Sequence, residues 1–114
     1  MADSTLGLLQ GTVDLLILRA LQPGPAHGYA VSRWVRERTD GVLAIEDAAL
    51  YQALHRLEAR GWIEAEWGLS DNNRKAKYYR LTPEGRKQLA SQKSRWEQVV
   101  RAISRIMSPA PEEK

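Results

Sequence analysis

The 114-residue chain contains no cysteine, which removes disulfide frameworks and thiolate chemistry and fits a reducing compartment. Long hydrophobic runs are missing too. A stretch such as Leu15–Leu18 is far too short to span a bilayer, so no membrane partner is expected. Asp3, Gly7 and Gln10 break up the opening residues, so no signal peptide is expected and the reading is of a cytoplasmic protein. There are only two histidines, and without cysteine or aligned acids they make a poor metal site. GxGxxG, the phosphate-binding P-loop and the Gly-x-Ser-x-Gly elbow are absent as well. No cofactor, metal or catalytic residue is expected, and the composition argues against an enzyme.

What is present suits a single globular domain with a modest core: 43% hydrophobic and 27% charged residues. A net charge of +3 permits an acidic partner without demanding one.

The chain is organised around Glu46–Gly61, EDAALYQALHRLEARG. Leu50, Ala53, Leu54 and Leu57 recur at i, i+3, i+4 and i+7 and form one apolar stripe of a helix. The opposite side carries Ala48, Gln52, His55 and Ala59, flanked by Ala49, Tyr51 and Arg56. Folding requires the stripe, but it does not require two small residues followed by an amide, an imidazole and a guanidinium. Small residues let a helix approach a large surface, and Gln, His and Arg can bond to base edges or phosphates. The helix alone fits an ordinary surface helix equally well. Glu46 and Asp47 suit the positive end of its dipole rather than an acid/base pair, because adjacent helix positions point apart.

Upstream, Val13, Leu16, Ile17 and Leu21 predict a buried first helix, with Thr12 as its N-cap and Asp14 near its positive end. Gln22–Ala26 (QPGPA) stops that helix. A second helix follows over about His27–Thr39, its apolar side formed by Ala30, Val31, Trp34 and Val35, with His27 as a cap or hydrogen-bonded structural group at its start. Val42–Ile45 is short and uniformly apolar and predicts a short strand.

Downstream the period changes to two. Ile63, Ala65 and Trp67 share one face of a strand, Gly68–Arg74 has turn chemistry, and Lys75–Leu81 returns as a second strand. Arg74, Lys75 and Lys77 at or near the tip of this hairpin can reach a phosphate backbone, although lysines there also serve simply to discourage edge pairing. Thr82-Pro83 opens a last helix. Its apolar stripe, Leu89, Trp96, Val99, Val100, Ile103, Ile106 and Met107, outruns anything later in the chain that could cover it. A second copy is expected on that stripe, making the protein a homodimer.

Helix, helix, short strand, helix, hairpin and long helix make a mainly α chain with a small β-hairpin (α+β). This is the winged helix-turn-helix arrangement, plus a C-terminal dimerisation helix. The expected segments are residues 1–10 as an N-terminal segment, 11–82 as the DNA-binding domain, 83–108 as the dimerisation helix and 109–114 as a disordered tail. The second helix of a helix-turn-helix motif enters the major groove. The polar side of the Glu46–Arg60 helix and the Arg74–Lys77 cations would then face one duplex. A winged-helix protein–protein adaptor without specific DNA binding is the competing class, since fold does not fix function.

LLQGTVDLLILRAL (8–21), GPAHGYAV (24–31), ALYQALHRLEARGWIEAEW (49–67) and KYYRLTPEG (77–85) together resemble the PadR-like transcriptional regulators, in their compact form with one long C-terminal helix. The resemblance implies a dimeric DNA-binding regulator, usually a repressor, acting on a palindromic operator. It also implies dimerisation through the C-terminal helix and the N-terminal segment, where Leu6 and Leu9 would contribute. Backbone contacts are implied for Tyr51 and Arg56, and Tyr29 is either a core aromatic or a phosphate contact. Some relatives bind flat apolar molecules between paired tryptophans, so Trp96 is either an interface packing residue or the site of a small planar apolar effector. Trp34, Trp62 and Trp67 are expected in the core. Two departures bear on the operator: Ala48-Ala49 stands where many members carry Gly-Ser or a similar pair, and Gln52, whose amide suits adenine, stands where they often carry a proline.

Overall fold

The computed structural model describes residues 10–109; the interface residues expected at Leu6 and Leu9, and the tail from 110 onward, lie outside them. Within the described residues the chain runs α1 (Gln10–Ala20), β1 (Ala26–His27), α2 (Gly28–Arg38), α3 (Asp47–Ala59), β2 (Ile63–Leu69), β3 (Lys75–Leu81) and α4 (Pro83–Met107). The core is built from the stripes that the periodicity predicts. Val13, Ile17 and Leu18 of α1, Val31 and Val35 of α2, and Leu50, Ala53, Leu54 and Leu57 of α3 are all buried, together with Ile63, Tyr79, Leu81 and Leu89.

α1 corrects two expectations. Thr12 and Asp14 lie inside the helix rather than at its start. Asp14 is no dipole-facing surface acid: it is 4% exposed and ion-paired to Arg56 of α3, with Arg60 3.9 Å away. A buried carboxylate requires such a partner.

The Pro-rich stop after α1 also hides a strand. Ala26 and His27 pair antiparallel with Tyr79 and Tyr78, giving the sheet order β1-β3-β2. His27 then caps α2, because its Nδ1 accepts the Ala30 N–H at 3.1 Å. The strand expected at Val42–Ile45 does not form. Apart from a single-residue bridge at Leu43 the segment is turn and coil, drawn onto Thr39, whose hydroxyl accepts the Leu43 N–H at 3.0 Å. Ile45 alone of this run is fully buried.

In the hairpin, Ile63 pairs with Leu81, Ala65 with Tyr79, Trp67 with Lys77 and Leu69 with Lys75. Directly opposed residues share a face, so all eight belong to the side turned toward the helices. The core ends at Tyr79 and Ala65, however, and the outer half of that face lies beyond it. Trp67, expected in the core, is 60% exposed. Trp34 and Trp62 are half-buried against the core, their outer faces covered by the guanidinium groups of Arg19, Arg38 and Arg60.

α4 starts as its sequence indicates. The Thr82 side chain accepts the Gly85 N–H at 3.0 Å and Pro83 occupies the first turn. Of its apolar stripe, Leu89 is buried in the chain's own core, which removes it from the expected dimer surface. From Trp96 to Met107 the stripe is exposed, and α4 extends a molecule measuring 61 × 36 × 21 Å.

Candidate nucleic-acid interface

Burying Leu50, Ala53, Leu54 and Leu57 fixes the rotation of α3 about its axis. Ala48, Gln52 and His55 consequently stand exposed together on its far side. Ala49 is half-buried against the core and offers little surface to a partner. Tyr51 is half-exposed, with its phenol ring lying over Gly28 at the start of α2. A Cβ on residue 28 would sit 3.2 Å from the Tyr51 ring, so glycine allows α2 and α3 to meet there. Arg56 departs from expectation: its guanidinium turns inward to the Asp14 carboxylate. It braces α3 on α1 rather than reaching outward.

The hairpin forms the second wall. Its turn closes by a Ser70 N–H donating to the Arg74 carbonyl at 2.8 Å and an Asn73 N–H donating to the Ser70 carbonyl at 2.8 Å. Asn73 takes the left-handed conformation at φ 62° that asparagine tolerates. The Tyr78 hydroxyl donates to the Leu69 carbonyl at 2.9 Å and ties the two strands near the tip. Arg74 and Lys75 are exposed. Lys77 is half-buried, and its ammonium lies 3.5 Å from the Glu58 carboxylate of α3, so part of its charge is already countered.

Between α2, α3 and the hairpin lies an open cleft of about 740 Å³. Tyr29, Tyr51 and Trp67 line it with Arg33, Lys75 and Lys77, and Asp71 is the acid among its lining residues. Tyr29 is thus not a core aromatic. It is exposed, with the Arg33 guanidinium 5.5 Å from its ring centroid. Burial raises the pKa of the Tyr79 phenol at the floor of the cleft; Lys77 opposes that shift, and Glu58 and Tyr51 add to it.

Arg33 and Trp67, both lining this cleft, are not singled out by the sequence pattern. Arg33 is one of several charged residues along α2, with Arg36, Glu37 and Arg38. The alternation that put Trp67 with Ile63 and Ala65 is correct, but only the register, which sets Trp67 opposite Lys77, shows that the core does not reach it.

The model of the PadR-like family of transcriptional regulators matches residues 17–91, from within α1 to the early turns of α4. The chain belongs to that family. A transcriptional regulator from Clostridium thermocellum has a similar structure, with a TM-score of 0.79 and 34% identity over 87% of this chain and 96% of that one. A PadR family transcription regulator from Clostridium difficile superposes with a TM-score of 0.74 at 28% identity, over 84% and 98% of the two chains. An uncharacterised protein of Lysinibacillus sphaericus is 33% identical over 100 residues, 88% of this chain and 92% of that protein. This PadR-like chain is therefore a DNA-binding transcriptional regulator with a winged-helix fold, not an enzyme. Among the described residues no helix is long and apolar enough to cross a membrane.

Proposed function

We propose that two copies pair along the exposed α4 stripe of Trp96, Val99, Val100, Ile103, Ile106 and Met107, and that the dimer represses transcription from a palindromic operator. The observation that carries this reading is the joint exposure of Gln52 and His55 on α3 and of Arg74 and Lys75 on the hairpin. A helix in the major groove would place the Gln52 amide against a base edge, adenine by preference. The hairpin cations would hold the neighbouring phosphates. Two-fold pairing would present two such helices to one duplex, which is why a symmetric operator follows. Occupying such a site in the cytoplasm would block the promoter beneath it. A small planar apolar effector, stacked on Trp96 of the paired helices, would release the DNA by shifting their relative angle.

The deciding experiment is a gel shift on the DNA upstream of its own gene, at rising salt and with competitor DNA. Binding should survive the competitor and fall steeply with salt, as expected when a dimer neutralises on the order of 6–10 phosphates. A protein that binds no better there than to mixed-sequence DNA would not be an operator-specific regulator. For the effector, a planar cationic dye should quench Trp fluorescence in the unmodified protein and fail to do so in Trp96→Ala.

A further inference from the structure

Trp67 is 60% exposed and Leu69, next on the same face of the hairpin, 65%. Neither serves the core, and both stand among cations. The Lys75 ammonium lies 5.4 Å from the Trp67 ring centroid, and Lys77 is the cross-strand partner of Trp67. A partner fitting this mixture must offer negative charge and apolar surface at close intervals. A nucleic-acid strand does so, with phosphates alternating with deoxyribose rings. The cleft lined by Trp67 is continuous with α3, because Tyr51 belongs to both. With α3 in a major groove and the hairpin at the adjoining minor groove, the strand that separates the two grooves has to pass between them, through this cleft.

On the strength of the DNA-bound reading above, we propose that Trp67 is a sugar-contacting residue, its indole face packed on a deoxyribose of that strand while Lys75 takes the adjacent phosphate. The cation–π contact holds both side chains in place before DNA arrives. The contact reads no base, and because it is apolar it releases no counterions. Its loss should therefore weaken binding to every duplex alike and leave the salt dependence unchanged.

The test measures fluorescence anisotropy on two labelled duplexes, the upstream DNA and a mixed sequence, over a range of salt. Trp67→Ala should bind both about 10-fold more weakly, the factor that roughly 50–60 Å² of apolar contact contributes, with an unaltered salt slope. Lys75→Ala should instead reduce the slope by about one. Trp67→Phe should retain much of the affinity. The quenching of intrinsic fluorescence by unlabelled duplex should be larger in the unmodified protein than in Trp67→Phe, since the indole reporting the sugar is gone. If Lys75→Ala weakens binding and Trp67→Ala does not, the proposal is overturned and the DNA-binding reading stands. It is equally overturned if Trp67→Ala flattens the salt slope, loses helix content, or changes sedimentation, the last marking the patch as a contact between copies. An unmodified protein that binds neither duplex overturns both.

Discussion

Asp14 and Arg56 show how one residue's environment decides its role. A guanidinium on the flank of a recognition helix ordinarily suggests a phosphate contact, but here it lies against a carboxylate withdrawn from water. Arg56→Ala would leave that carboxylate with only Arg60 at 3.9 Å. Urea denaturation should show a loss of roughly 1.5–3 kcal/mol, the range for hydrogen bonds to charged groups. On the exposed side of the same helix, Gln52→Ala should cost nothing in stability. It should relax base preference by about 1–3 kcal/mol, measured as the affinity ratio between operator and mutated operator. Lys77→Ala should flatten the salt slope less than Lys75→Ala, because Glu58 already counters the Lys77 charge. Tyr79 sets an alkaline limit. Burial raises its pKa in the folded state, so the folded chain keeps the phenolic proton after the unfolded chain has lost it. The associated stability is whole below the ordinary value of 10.0 and drains away as pH rises past it. Tyr79→Phe should remove that component of alkaline unfolding, read from thermal melts on either side of the ordinary value.

At the scale of elements, the joint between α3, β2 and α4 sets the angle at which the long helix leaves the domain. The Thr82 hydroxyl donates to the Gly61 carbonyl at 2.6 Å, and its N–H donates to the Trp62 carbonyl at 3.1 Å. Gly85 lies directly on that carbonyl: a Cβ there would come within 1.9 Å of the Trp62 oxygen. Gly85→Ala would gain about 1 kcal/mol of helix propensity, yet the clash is with backbone and cannot be relieved by a rotamer. Net destabilisation of about 1–3 kcal/mol is expected, as for other overpacked sites, visible as a lowered melting temperature.

For the whole molecule, the proposed pairing along the long exposed stripe of α4 would make assembly inseparable from function. Val100→Asp would set a charge in the proposed seam and should convert the sedimenting species from dimer to monomer, because an unpaired charge cannot be buried cheaply. Operator binding should fall far more than the loss of one helix's contacts would imply, since the second recognition helix would no longer be held at a high effective concentration. A Val100→Asp protein that remains dimeric would place the seam elsewhere.

Local sequence pattern alone determined the helices, the hairpin and the face that α3 buries, because a period of 3.6 or 2 fixes which residues share a side wherever water and core are the only alternatives. The Thr82-Pro83 start of α4 was legible for the same reason: its chemistry lies within one turn. What the pattern could not carry was anything that depended on a partner distant in the chain. The pairing of Ala26–His27 with β3, the turning of Arg56 to Asp14, the absorption of Leu89 into the core and the emergence of Trp67 beyond its edge were decided by tertiary structure. Each concerns how far the core extends and which charge meets which. Only the packed chain, with α1 laid against α3 and the hairpin's register set, brings those groups within reach of one another.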